Sequence, residues 1–135
     1  MAKLNVEIVT PEKRLVQLEA DEIIAPGALG LFGVRPGHTP LISVMAPGLL
    51  TVRDGATTQK YFVSGGFVEV GPEQVRVLAD SAQTPESIDV AATRKKLEAA
   101  EEALATLTGP NDLAYEAAVT SVAREKARIA AAAQK

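Results

Sequence analysis

The residue types with the most direct route to chemistry are one histidine, His38, one serine flanked by glycine, Ser64, three glycines at even spacing, Gly27, Gly30 and Gly33, and two helical arginines, Arg124 and Arg128. A histidine base needs a nucleophile and an orienting group within hydrogen-bonding reach. A small hydrolase built on Ser64 and His38 would need a nucleophile elbow, with glycine two positions before the serine, and Phe62 stands there. Transition-metal sites need three or four convergent ligands, and the chain offers a single imidazole and no cysteine. His38 therefore reads as part of the turn Pro36-Gly37-His38-Thr39-Pro40, and Ser64 as a strand residue. The glycine spacing is not that of a dinucleotide fingerprint, and Pro36 and Pro40 forbid the helix such a loop must open, so these glycines read as tight backbone turns. The residues predict no active site; the chain reads as a binding or structural subunit, not an enzyme.

Two features point to contacts instead. Leu29, Leu31 and Phe32 gather apolar side chains in the glycine-rich loop, where they either cover a sheet edge or meet another protein. Arg124 and Arg128, four apart, lie on a helix face turned away from Val122, which reads as a solvated face or as a docking point for carboxylates or an anionic ligand.

The elements that must position these residues change character near residue 84. From Leu4 to Ala79 short runs alternate apolar with polar, as in Leu4, Val6 and Ile8 separated by Asn5 and Glu7. Turn signals recur at Pro11, Pro26-Gly27, Pro36-Gly37, Pro47-Gly48, Asp54-Gly55 and Gly71-Pro72, predicting many short antiparallel strands in a sandwich or barrel. Asp54-Gly55 predicts a type I′ hairpin between Leu50–Arg53 and Thr57–Tyr61. Gly65-Gly66 interrupts the run from Tyr61 to Val70 and predicts a bulge or a close backbone approach.

Beyond Asp80 the composition turns to alanine, glutamate, lysine, arginine and leucine, and helix is predicted. Val90, Thr93, Leu97, Ala100, Leu104 and Leu107 form a seam at spacings of three and four, with Ser87 or Asp89 as the cap. Gly109 and Pro110 end the first helix, and Asn111 or Asp112 caps a second. On that second helix Tyr115, Val119, Val122, Ile129 and Ala133 make a stripe into which Lys126 intrudes, so that this lysine must snorkel or find a carboxylate. The seam has few large side chains, Leu97, Leu104, Leu107, Val122 and Ile129, which predicts a marginal hairpin whose alternative packings differ by only about a few kcal/mol. The fold class is thus α+β, an N-terminal antiparallel β-sandwich over 1–84 followed by a C-terminal two-helix antiparallel hairpin over 85–135.

Composition sets the outer limits. With 47% apolar and 23% charged residues the 135-residue chain has globular character, and a formal net charge of -3 gives no overall field to attract nucleic acid. No window approaches about 18 uninterrupted apolar residues, and Met1 to Thr10 lacks the apolar run of a signal peptide, so a water-soluble chain is expected.

Several segments together carry a family resemblance: Ile8-Val9-Thr10-Pro11-Glu12, Ala25-Pro26-Gly27, Gly33-Val34-Arg35-Pro36-Gly37-His38-Thr39-Pro40-Leu41, Pro47 to Arg53, Val63-Ser64-Gly65-Gly66-Phe67-Val68-Glu69-Val70, and Val75 to Asp80. In that order and spacing the sequence resembles the ε subunit of F-type ATP synthases over essentially its whole length. The resemblance implies a rotor-stalk subunit: a sandwich that binds the γ subunit and sits on the ring of c subunits, helping to couple proton flow to ATP synthesis. It implies Leu31, Arg35 and His38 as the c-ring contacts. It implies a hairpin that either folds down or extends into the α/β catalytic head to inhibit ATP hydrolysis, with Arg124, Lys126 and Arg128 approaching an acidic segment of the catalytic β subunit.

Some members of that family bind ATP through Ile-Asp-x-x-Arg-Ala at the start of the first helix and arginines of the second. Ile88, Asp89, Arg124 and Arg128 match that pattern, but Ala92 stands in place of its arginine, and Arg94, two positions on, lies about 200° round the helix. No cofactor is expected. The implied location is the cytoplasmic side of a bacterial plasma membrane, with membrane association only through the complex. A competing expectation is a free-standing β-sandwich ligand-binding module with a helical oligomerisation tail, which would live without γ.

Overall fold

Alternation of buried and exposed positions carries the first part of the chain into strands, and the computed structural model describes residues 3–12, 14–107 and 113–133, main chain only at 14 and 15. In chain order the strands are β1 (Leu4–Val9), β2 (Arg14–Ala20), β3 (Glu22–Gly27), β4 (Gly30–Val34), β5 (Leu41–Met45), β6 (Gly48–Asp54), β7 (Thr57–Val63), β8 (Gly66–Val70), β9 (Gln74–Ala79) and β10 (Ala82–Gln83). The chain divides into two units, Met1–Thr84 and Pro85–Lys135.

In the first unit β4, β3, β6, β7 and β10 make one layer and β5, β8, β9, β1 and β2 the other, and the two ladders are joined at the pair Gly27–Met45 and its flanking bonds, Ala28 N–H to the Val44 carbonyl and Ala46 N–H to the Pro26 carbonyl. Leu4, Val6 and Ile8 from one layer and Ile23, Leu50, Val52 and Val63 from the other are all at 1% exposure or less within a single apolar cluster. Both layers feed one core, which makes this a β-sandwich. The pairing is antiparallel except for β1 and β9, which run parallel from Asn5–Gln74 to Val9–Leu78. The expectation of an antiparallel sandwich thus needs one amendment: the first strand enters beside β9, whose hairpin partner β8 already fills its other edge.

The Asp54-Gly55 signal gives the expected hairpin but not the expected turn. Asp54 pairs with Thr57, so the central residues are Gly55 and Ala56. Gly55 has φ 61° and no non-glycine residue among those described has positive φ, the pattern of a type II′ turn with glycine first, because alanine resists the second positive φ that type I′ demands. At Gly65-Gly66 the chain does not merely bulge; the run breaks into β7 and β8, which lie in different layers. Gly66, at φ 127°, packs so closely on its neighbour strand that a Cβ would stand 2.1 Å from the Leu78 carbonyl oxygen.

One corner of the sandwich is tied by charge. The Lys3 ammonium reaches Asp21 Oδ1 at 2.7 Å and Asp54 Oδ1 at 2.5 Å, while Asp21 Oδ2 accepts the Gly55 N–H at 2.6 Å. The hydrogen bonds to Asp21 and then Asp54 raise Lys3 above the ordinary lysine range, and Lys3 followed by the Gly55 N–H holds Asp21 below the ordinary carboxylate range.

The second unit holds a 3-10 turn, Pro85–Ser87, then α1 (Val90–Thr106) and α2 (Leu113–Ala132), which pack on each other as a hairpin. Of the two candidate caps, Asp89 does the work: its extended backbone precedes the helix and its carboxylate accepts the Ala92 N–H at 3.0 Å. Thr93 is buried, and Val90, Leu97, Ala100, Leu104 and Leu107 are partly buried among exposed neighbours, so the predicted α1 seam is present. The caps assigned to Gly109, Pro110, Asn111 and Asp112 lie outside the described residues.

The α2 stripe is rotated from the predicted one. Val119, Lys126 and Ala133 are exposed, and the inward face runs through Ala118, Val122, Glu125, Ile129 and Ala132. Lys126 needs neither snorkelling nor a partner. Large apolar residues were the wrong marker on a helix whose buried positions are alanines and a carboxylate that carries its own counterions.

Candidate interaction surfaces

The glycines at 27, 30 and 33 shape a β3–β4 hairpin in which Gly27 pairs with Gly30 across Ala28-Leu29. A Cβ on Gly27 would meet the Gly30 carbonyl oxygen at 2.8 Å, so the close turn requires glycine there. The apolar trio divides: Phe32 packs against the core, whereas Leu29 is fully exposed and Leu31 is 72% exposed. Leu31 and Arg35 fall on the outward face of β4 and its extension, since Phe32 and Val34 face inward. Leu31 also lines an open apolar groove of about 400 Å³ with Ile24, Pro26, Ala46 and Leu49.

Arg35 and His38 border a second cleft with Glu22 and Pro36. Glu22 takes Arg53 Nη1 at 2.8 Å on one carboxylate oxygen and Arg35 Nε at 3.1 Å on the other, leaving the rest of the exposed Arg35 guanidinium facing solvent. His38 lies in the expected turn, closed by its N–H to the Arg35 carbonyl at 3.2 Å. Its Nδ1 sits 2.6 Å from the Thr39 carbonyl oxygen. Since a carbonyl can only accept, Nδ1 is the donor in this contact. Ser64 is spent elsewhere: its hydroxyl accepts from Ser81 Oγ at 2.7 Å.

A third surface has no counterpart among the expected site residues. Ile42 and Val44 alternate outward along β5 at 71% and 53% exposure, and Phe67, directly opposite Val44 on β8, is 52% exposed. The signal was in the sequence: Leu41-Ile42-Ser43-Val44-Met45 has apolar residues on both faces of one strand, where a strand with one wet face alternates.

In the hairpin, Ile88 is buried just ahead of α1, and the Asp89 carboxylate is engaged in capping. Arg124 and Arg128 do not form the solvated pair expected of them. Arg124 Nε lies 2.9 Å from Glu125 Oε2 and Arg128 Nη1 lies 2.5 Å from Glu125 Oε1, around a carboxylate only 2% exposed. Arg124 is partly exposed, Arg128 is 13% exposed, and Lys126 faces solvent between them. Sequence reading missed Glu125 because a charged residue flanked by other charges looks solvated until two of its neighbours neutralise it.

Comparison with known proteins gives these surfaces a setting. Residues 3–85 match the family model described as the ATP synthase delta/epsilon chain β-sandwich domain. The chain is 52% identical over 132 residues to the ATP synthase epsilon chain of Myxococcus xanthus strain DK1622, covering 98% of this chain and 96% of that one. It is 42% identical over 129 residues to the epsilon chain of Anaeromyxobacter sp. strain K, covering 96% and 97%. Among solved structures it superposes with TM-score 0.82 and 25% identity on a chain in the cryo-EM structure of Euglena gracilis mitochondrial ATP synthase OSCP/F1/c-ring in rotational state 1, covering 97% of this chain and 82% of that one. The fold also matches a chain of the Tetrahymena thermophila mitochondrial ATP synthase central stalk and c-ring, with TM-score 0.61 at 16% identity over 98% of this chain and 95% of that one. With the matched β-sandwich, two helices after it and near full-length identity to named epsilon chains, this chain belongs to the ATP synthase epsilon chain family.

Proposed function

We propose that the protein is a non-catalytic central-stalk subunit of the F1Fo ATP synthase whose sandwich grips the γ subunit and rests on the c-subunit ring, helping to couple proton translocation to ATP synthesis, while its hairpin restrains ATP hydrolysis. The observation that carries the reading is the outward apolar face of Ile42, Val44 and Phe67 on a sandwich whose core is already complete without it. A large apolar side chain left in water forgoes about 1.5 to 3 kcal/mol of burial, and a contiguous patch of them marks a protein contact. This face is the docking surface for γ. Leu31, Arg35 and His38 meet the c ring, offering an apolar contact, a solvent-facing guanidinium and an imidazole.

The hairpin is the brake. Arg124, Lys126 and Arg128 approach an acidic segment of the catalytic β subunit when the hairpin extends into the α/β head. The complex sits at the cytoplasmic side of a bacterial plasma membrane, as the Myxococcus and Anaeromyxobacter relatives favour; no helix among the described residues is long and apolar enough to cross a membrane. Similarity over nearly the whole chain favours this reading over a free-standing ligand-binding module.

Reconstitution with the other subunits tests both halves. A chain ended after Thr84 is expected to join the complex and to raise its ATP hydrolysis, and Ile42→Glu/Phe67→Glu in the full chain to abolish co-purification with γ. Unchanged hydrolysis refutes the brake; wild-type recovery with γ refutes the docking face.

A further inference from the structure

Glu125 is the most deeply buried charge among the described residues, and nothing in the stalk function uses it. Each of its oxygens is taken by a different arginine, Arg124 at 2.9 Å and Arg128 at 2.5 Å. All three side chains belong to α2, so the cluster travels with the helix wherever the hairpin goes. What changes with the surroundings is its strength. Ion pairs at this distance shielded from water are strong and costly to open, whereas the same intrahelical pairs in solvent contribute only tenths of a kcal/mol and are screened by salt.

We infer that Glu125 is an internal competitor for the arginines of the brake: an autoinhibitory carboxylate that occupies Arg124 and Arg128 while it is buried and gives them up once water reaches it. This rests on the reading of Arg124 and Arg128 as the contacts to an acidic surface of the catalytic β subunit. The chemistry is an exchange of one carboxylate for another. A buried intramolecular carboxylate withholds both guanidinium groups, so a partner's carboxylate can claim them only from the exposed helix. Lys126, between them and already in solvent, has no such gate and supplies the first, weaker attraction. The device also explains why a helix so rich in alanine buries a charge at all. Apolar packing at position 125 would hold the helix without holding the arginines.

The test uses the full chain in the assembled, isolated F1 complex and reads ATP hydrolysis. Glu125→Gln keeps the shape and one of the two acceptor oxygens but removes the competing charge. Residual hydrolysis is expected to fall on the order of fivefold, the low end of a coupling factor between sites. Adding Arg124→Ala/Arg128→Ala to Glu125→Gln is expected to cancel that gain of inhibition, and about 1 M salt, where the Debye length is about 3 Å, to shrink it. Unchanged or raised hydrolysis with Glu125→Gln, or a gain that survives loss of both arginines, overturns the inference. Arg124→Ala/Arg128→Ala alone separates it from the reading beneath it. If that pair leaves hydrolysis unchanged, the arginine brake itself fails; if it raises hydrolysis while Glu125→Gln does nothing, only the competitor role fails.

Discussion

The two units of this protein are stabilised in opposite ways. In the sandwich, side chains from nine strands, most of them β-branched or large, close on one cluster in which most members are fully buried. In the hairpin the leucines of α1 are only partly buried, and the buried positions of α2 are Ala118, Glu125, Ala131 and Ala132. A core of Leu, Ile and Val gains about 1.5 to 3 kcal/mol per side chain, whereas alanine gains little beyond helix propensity. The contrast separates a unit with a large, fully buried apolar core from one whose seam is narrow and mostly alanine. It also locates the buried charge where packing is weakest, since a carboxylate with two counterions is tolerable only where few apolar contacts are forfeited around it.

The contrast is broken most directly by matched core truncations. Leu50→Ala, at a fully buried sandwich position, is expected to destabilise the sandwich by about 2 to 5 kcal/mol, because the surrounding strands cannot collapse into the cavity. Leu104→Ala, at a partly buried seam position, is expected to cost well under half of that. Thermal unfolding followed by circular dichroism checks both. Comparable losses would mean that the hairpin seam is a true core.

A smaller effect sharpens the same line within the hairpin. Asp89→Ala removes the carboxylate that accepts the Ala92 N–H and is expected to cost about 1 kcal/mol of helix stability. Hydrogen exchange should show it as faster exchange in the first turn of α1 with no change in the sandwich strands. Protection lost throughout the sandwich would contradict the division of stability between the units.

Much of this architecture was legible in the sequence because it rests on local signals. Period-two alternation marked β1, the glycine pair at 65–66 fell where the chain leaves one layer for the other, and Ser87 and Asp89 bracketed the start of α1, which Asp89 caps. What escaped was set by tertiary pairing. The parallel placement of β1 on β9 depends on which sheet edge is open, and the II′ turn depends on a register that puts Gly55-Ala56, not Asp54-Gly55, at its centre. The surfaces divide in the same way. Local signals picked out Leu31 within its apolar trio and His38 within its turn, whereas the Ile42–Val44–Phe67 face needs the β5–β8 register and the Glu125 cluster needs the rotation of α2.

The smallest effect expected lies at the corner where Lys3 joins Asp21 and Asp54. Asp21 has its folded-state pKa depressed, chiefly by the Lys3 hydrogen bond, so its contribution is present above the ordinary aspartate value near 3.8 and is lost as pH falls through the folded value. Lys3 has its folded-state value raised, so its contribution is complete below the ordinary 10.5 and is lost only as pH rises beyond that. Between those limits the corner is at full strength. Lys3→Met removes the cation and lets Asp21 return toward its ordinary value, so the variant should lose stability at neutral pH and lose less than the wild type on further acidification. All three side chains are partly open to solvent and screened by it, so the difference should be small and should vanish in high salt. Parallel acid titrations of the two proteins, with and without about 1 M salt, measure it. A wild-type acid slope that Lys3→Met leaves intact would assign the pH dependence to other carboxylates and reduce this corner to a steric fit.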